Sequence, residues 1–207
     1  MVVKYSPDLN RSILPCRKKC KACGLYLNQL PLYDDHKQSQ IFWLGLSAVK
    51  VDDVKTTKPL SSETASGNLI STIEEPYLHQ LQFYKTNLVK CLPLKNEKIR
   101  YPIQNEMEKC FPNFESEIKT LKPTIVFLLG KQVSTFIAKK YLIKIGTLSK
   151  DFKYESFLVN GITFIPIHHP SYILVYRRKY LKKYILQIQS LFSLAAVKSS
   201  LKKKKAA

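Results

Sequence analysis

The chain has 207 residues, 45% of them hydrophobic; that is enough for one sizeable domain with its own core and too apolar for a disordered tail. No apolar run approaches the ~20 residues that span a bilayer, and the opening residues lack the core of a signal peptide, so the reading is a cytoplasmic monomer with no membrane partner. Lys and Arg total 34 against 15 Asp and Glu, a net charge of +19, and this excess points to a polyanion, DNA first, held partly through counterion release. A lysine-rich proteome would explain many of the lysines, but hardly so deep a shortage of acids.

In chain order, Cys16, Cys20 and Cys23 lie among basic residues. Cys20-Lys21-Ala22-Cys23 is a C-x-x-C that fits half a zinc site, a redox pair or half an iron–sulfur site. The other thiols, Cys91 and Cys110, stand alone. Singly, each reads as a buried small hydrophobe; beside the C-x-x-C, ligation is the better reading. Residues 41–46 are an apolar run that predicts a first core strand. The polar stretch 47–67 that follows carries Asp52, Asp53 and Glu63, and a loop of that length at a strand end suggests function. A helix is expected over 67–73 and a second strand over 83–89.

That second strand runs into Asn87-Leu88-Val89-Lys90-Cys91-Leu92-Pro93. Asn87 offers a donor and an acceptor on one amide, suited to the polar edge of a flat heterocycle, and Cys91 is a soft metal ligand. Apolar positions near helical spacing predict a helix over 106–121, stopped by Lys122-Pro123. A buried strand follows over 124–130, a helix over 131–141, and a hairpin over 157–165 turning at Asn160-Gly161. Residues 172–194 read as one basic amphipathic helix, and 199–207 as a solvated basic tail. Strands and helices alternate, so the class is α/β, with a mostly parallel sheet covered on both faces. No repeat or linker divides the chain, which is read as one domain over 1–207 with a cysteine-bearing segment at 1–40.

Ile167-His168-His169-Pro170-Ser171 after the last strand, the Asn87–Pro93 stretch, the early C-x-x-C and Leu128-Leu129-Gly130-Lys131 together resemble the iron–sulfur uracil-DNA glycosylases of types four and five. The resemblance implies a three-layer α/β/α fold around a four-stranded sheet. It implies a 4Fe–4S cluster on Cys20, Cys23, Cys91 and Cys110, with Cys16 spare, and a DNA glycosylase that flips a nucleotide from duplex or single-stranded DNA. By motif, His169 would stabilise the charge on the leaving base, Asn87 would read its edge, and Gly45, Leu46, Ser47 and Leu60 would line the pocket. Ser171, Tyr176, Arg177 and Arg178 would hold the DNA. The family's motif acid is absent near Gly45, which leaves Glu63 as its substitute and Asp53 and Asp52 as competitors. Leu60 takes the place of the family's base-stacking phenylalanine, which suggests a modified pyrimidine as substrate. A hypermodified phage base would make the protein a defence factor; a relative that binds DNA without catalysis is the other alternative.

Overall fold

The computed structural model describes residues 22–35 and 37–193; Cys16, Cys20 and the tail at 199–207 lie outside the described residues. Among the described residues seven strands form: β1 (Ile41–Ser47), β2 (Phe83–Val89), β3 (Leu94–Lys95), β4 (Lys98–Ile99), β5 (Ile125–Leu129), β6 (Phe157–Val159) and β7 (Ile162–Ile167). The main sheet has the order β2-β1-β5-β7-β6, with β6 alone antiparallel. It therefore has five strands rather than the expected four, because both arms of the 157–167 hairpin join it. Asn160 and Gly161, with φ of 50° and 80°, supply the two left-handed residues of the tight turn.

Among the described residues five α-helices cover the sheet: α1 (Ala65–Glu74), α2 (Gln104–Leu121), α3 (Lys131–Lys140), α4 (Pro170–Tyr176) and α5 (Leu181–Leu191). Ile70, Ile173 and Ile188 from α1, α4 and α5 pack on Trp43, Phe127 and Ile165. On the other face Phe114, Ile118 and Ile137 from α2 and α3 meet Phe42, Leu44 and Val126. Burial on both faces is why these strands are continuous apolar runs rather than alternating ones. The layers are α/β/α, as the resemblance implies.

The single helix expected over 172–194 is broken. Arg177, at φ −132°, ends α4, and a short turn precedes α5. The break folds α5 back, so that Tyr184 and Ile188 enter the same core as Ile173 and the Tyr184 hydroxyl donates to the His168 carbonyl at 2.9 Å. Neither Gly nor Pro marks the bend; burial of both apolar faces causes it.

Strand order reverses between β1 and β5: β2 lies to one side, β7 to the other. In open α/β sheets the crevice outside the carboxyl ends of such strands is where ligands bind. The outer strand β2 is tied to α2 by a buried network. Lys90 Nζ donates to Glu117 Oε2 at 2.7 Å and to Thr86 Oγ1 at 2.5 Å, while the Tyr84 hydroxyl donates to Glu117 at 3.2 Å. The Lys90 and Glu117 side chains are 1% and 0% exposed, so neither charge has water to fall back on. Lys90→Met should strand the carboxylate and cost about 3–5 kcal/mol in urea unfolding. Lys90→Met combined with Glu117→Leu should recover most of that loss; a double variant as unstable as the single one would contradict a desolvation origin.

Candidate active site

Two glycines stand at the carboxyl ends of the strands flanking the reversal. A Cβ on Gly45, in β1, would lie 2.3 Å from Asn87 Oδ1 and 3.4 Å from Leu60 Cδ2. Asn87 sits opposite Gly45 on β2, and its amide leans into the space that glycine leaves. Asn87 is only 4% exposed, yet its side chain makes no hydrogen bond to a described residue. Its amide nitrogen and oxygen are not among the sealed polar atoms that lack a partner, so they open to the crevice and are suited to pair with a ligand. Gly130, directly after β5, has φ +89°, and a Cβ there would lie 3.2 Å from the His169 Cβ. Thus Asn87 leans over β1 from one side and His169 over the end of β5 from the other. These strands are neighbours, about 4.8 Å apart, so the amide and the imidazole flank one crevice.

His169 caps the N-terminus of α4. The Ser171 backbone N–H donates to His169 Nδ1 at 3.2 Å, and the Ser171 hydroxyl lies 2.7 Å from the same nitrogen. A backbone amide can only donate, so Nδ1 is an acceptor and the neutral ring carries its proton on Nε2. Burial holds the His169 pKa below the ordinary histidine value, so the neutral, Nε2–H form dominates at pH 7. His168 is lowered as well, by burial and then by the Arg177 charge. Its Nδ1 is 3.0 Å from the Tyr154 hydroxyl, and its ring stacks on Tyr172, 5.4 Å between centroids. The resemblance pointed to His169; the pairing of His168 with two tyrosines, one of them 14 residues upstream, has no signature in the sequence.

The acids are placed less centrally. Asp53 is exposed, and both its oxygens serve its own turn: Oδ1 accepts from the Lys55 N–H at 2.8 Å, Oδ2 from the Thr56 hydroxyl at 3.0 Å. The Lys55 amide, followed by Thr56, holds its pKa low. Asp52 is also exposed. Glu63 is exposed one residue before Thr64, whose Oγ1 accepts the Gly67 N–H at 3.1 Å and caps α1. Leu60 has φ 52°, a left-handed backbone that a branched side chain resists. Gly67 allows it: a Cβ at 67 would lie 2.0 Å from the Ser61 carbonyl and 2.4 Å from that of Leu60. Ser47 and Leu46 are half-buried at the end of β1.

A cavity of about 470 Å³ adjoins this crevice along the outer edge of β2, lined by Asp34, Lys58, Leu60, Glu63, Glu74 and Lys85 among others. Asn87 and His169 do not line it. Its charged groups are largely spent on each other. Lys85 Nζ pairs with Glu74 at 2.8 Å, the Trp43 indole donates to Glu74 at 2.7 Å, and Asp34 accepts the Lys85 N–H at 3.0 Å, covering an edge-strand amide.

Cys23, Cys91 and Cys110 belong to one packed group with Leu25 and Val89. The Lys90 N–H points at Cys110 Sγ (3.4 Å) and Asn113 Nδ2 lies 3.6 Å from it; donors of this kind orient a ligating sulfur. The segment bearing Cys23 is strapped to the end of β2. Asn28 donates to the Leu92 carbonyl at 2.9 Å, and the Leu32 N–H to that of Lys90 at 2.9 Å. Arg100 grips Glu106 at 2.5 and 2.8 Å, fixing the first turn of α2 below Cys110. Among the described residues no three His, Cys, Asp or Glu converge tightly enough for a single metal ion.

Of the residues expected to hold DNA, Tyr176 and Arg178 are exposed. Arg177 is half-buried, donates to the Lys150 carbonyl at 3.2 Å and lies over the Tyr180 ring at 4.6 Å. Ser171 is exposed but turned to His169.

Residues 29–191 match the family model described as the uracil DNA glycosylase superfamily. The type-4 uracil-DNA glycosylase of Saccharolobus solfataricus is 27% identical over 162 residues, which cover 74% of this chain and 72% of that protein. That of Thermotoga maritima is 27% identical over 175 residues, 82% of this chain and 85% of its own. Among solved structures, wild-type Pedobacter heparinus SMUG2 matches with a TM-score of 0.53 at 16% identity, over 86% of this chain and 85% of that one. That likeness is one of fold.

Proposed function

The chain belongs to the uracil DNA glycosylase superfamily, and from that premise we propose that it is a monofunctional DNA glycosylase that hydrolyses the N-glycosidic bond of uracil or a related pyrimidine. The observation that supports this most is the pairing of an unspent buried amide, Asn87, with a neutral imidazole, His169, across the crevice at the strand reversal.

The glycosidic carbon is out of reach inside a base stack, so the nucleotide must be flipped out. Asn87 pairs with the polar edge of the flipped base. The C1′–N bond then breaks, and its electron pair leaves with the base as an anion. His169 donates from Nε2–H to the oxygen on which that charge gathers. The donor is neutral, so it acts as a fixed dipole and need not lose its proton. Water adds to the sugar cation at C1′, and its released proton ends on the base. Glu63 is the acid we assign to orient that water, since the oxygens of Asp53 are already held in their own turn.

Duplexes containing uracil should yield alkali-labile abasic sites, and His169→Ala should slow base release by about 100-fold or more while duplex binding persists. Burial depresses the histidine pKa, so activity should hold as pH falls past the ordinary value of 6.5 and decline only below it. An acid limb above 6.5 would contradict a neutral donor.

A 4Fe–4S cluster fits the gathered thiols, with Cys23, Cys91, Cys110 and, outside the described residues, Cys20 as its ligands. The Lys90 and Asn113 donors to Cys110 suit a thiolate ligand. When bound, the cluster would pin the N-terminal strap to the end of β2 and take no part in bond cleavage. Protein purified without oxygen should be brown, and Cys110→Ser should bleach that colour and lower the melting temperature. Colourless protein carrying zinc would decide against iron.

Leu60 supports a second reading of the substrate. An aliphatic side chain in a left-handed backbone, its Cδ2 3.4 Å from where a Cβ of Gly45 would lie, stands where the resemblance puts a stacking ring, and a leucine is smaller than that ring. A pyrimidine enlarged by modification would fit that space, and if such bases came from phage genomes the enzyme would serve defence. Leu60→Phe should strengthen uracil binding by about 5-fold to 100-fold and weaken release of bulkier pyrimidines, read by mass spectrometry of freed bases. An equal effect on both would contradict the larger pocket.

A further inference from the structure

Base release as derived above uses one imidazole, yet the chain sets a second beside it. His168 follows β7 directly, half-buried and held from several sides. Its Nδ1 lies 3.0 Å from the Tyr154 hydroxyl. Its ring stacks on Tyr172 and stands perpendicular to Phe152, whose centroid is 5.5 Å away. Its carbonyl accepts from the Tyr184 hydroxyl at 2.9 Å. These partners come from separate stretches: Phe152 and Tyr154 from residues 141–156 between α3 and β6, Tyr172 from α4 and Tyr184 from α5. Phe152, 1% exposed, has a φ of 62°, a backbone conformation that a bulky residue avoids. Strain of that kind persists where the surroundings over-determine it, and it gathers at functional sites. A long stretch without regular structure is likewise where function concentrates.

The carbonyl contact bears most directly on the site. That oxygen belongs to the peptide joining residues 168 and 169, and a peptide is planar, so the Tyr184 hydroxyl fixes the plane from which His169 departs. The contacts of His169 with Ser171 set its ring from the downstream side. From upstream, the Gly130 N–H holds the Ile167 carbonyl at 2.8 Å, and Tyr154 and Tyr184 hold the residue between. Burial raises the pKa of both phenols well above the ordinary value, against a weaker pull on Tyr154 from the His168 backbone amide, so both hydroxyls keep their protons at neutral pH. We propose that Tyr154 and Tyr184, acting through His168, are positioning residues that aim His169 into the crevice. None of them is asked to touch the substrate. This inference rests on the glycosylase reading for the reaction it serves, but not for its geometry.

The test has two readouts on the full chain. The first is single-turnover base release from duplexes containing uracil. Tyr154→Phe and Tyr184→Phe each remove one oxygen and keep the ring. Each should lower the maximal rate roughly 10-fold or more, because misplacing a reacting group by ~1 Å costs up to about 100-fold. The enzyme concentration that half-saturates release should change less than about twofold, as binding is not what the hydroxyls serve. In the His169→Ala background the same substitutions should slow release no further, since residues that act as one unit are not additive. No loss in either variant, or a loss that persists without His169, would overturn the proposal; a general weakening of the fold would slow both backgrounds. The second readout is NMR of protein with nitrogen-labelled histidine. Wild-type His169 should show one fixed Nε2–H tautomer, and each Phe variant should add a second form or broaden its signals. His169 signals indifferent to both substitutions would overturn the clamp whether or not a base is freed. A wild type that frees no pyrimidine, but whose His169 responds in this way, would refute the glycosylase reading and leave the clamp standing. An active enzyme whose rate ignores both substitutions would do the reverse.

Discussion

A side chain at position 45 and the Asn87 amide cannot occupy the same volume: a Cβ there would sit 2.3 Å from Oδ1. That exclusion governs the crevice, because the amide can lean over β1 only while residue 45 stays bare. The same device recurs twice nearby. Gly130 makes room for His169 at the end of β5, and Gly67 lets α1 close on the carbonyls of Leu60 and Ser61. Three removed side chains thus admit an amide, an imidazole and a strained leucine around the strand reversal. Gly130 also has a backbone conformation that other residues avoid, so its identity is fixed by torsion as well as by space.

The end of β2 joins this crevice to the cysteine group. Asn87 faces one side of the sheet and Lys90 reaches α2 on the other, while the Lys90 N–H meets Cys110 and its carbonyl holds Leu32 of the strap. The Val89 carbonyl accepts from Ala48 in the loop after β1. Whatever fixes the strap and Cys110 therefore fixes the strand that aims Asn87. The buried Lys90–Glu117 pair adds directional restraint rather than net stability, since two desolvated charges of this kind gain little over an apolar pair. Their geometry tolerates one register, and an apolar substitute would not enforce it.

How much of this could be read from the chain alone follows from the range of each interaction. Strand runs, the Asn160-Gly161 turn and the alternation of elements are local patterns, and they gave the α/β class and nearly every boundary. Both arms of the 157–165 hairpin were legible as strands, but that the outer one joins the main sheet as its fifth strand, and that the chain breaks at Arg177, depend on where distant surfaces are buried. Asn87 and His169 stood out through motif context, but the empty space that positions them over Gly45 and Gly130 exists only after folding. The state of Asp53 was equally hidden: a carboxylate bound to its own turn and one waiting for water look alike in sequence. Lys90 and Glu117, 27 positions apart, would read as ordinary surface charges until α2 lies against β2.

Electrostatics ties the neutral histidine to the basic surface. DNA phosphates brought near the crevice would pull a proton toward any imidazole there, and a charged His169 would bind substrate and leaving anion alike instead of favouring the charge that forms in the transition state. Burial opposes that protonation directly. Arg177 opposes it next door, lowering His168 through its charge, while Lys150, Arg178 and Lys179 stand where phosphates would otherwise act unscreened. On the proposed function, these cations would offset the phosphate field at a ring that burial already keeps neutral and whose Nδ1 accepts from the Ser171 amide. On the proposed mechanism, DNA attraction and an uncharged hydrogen-bond donor coexist because the positive charge sits on the turn after α4, at Arg177, Arg178 and Lys179, while His169 stands before that helix.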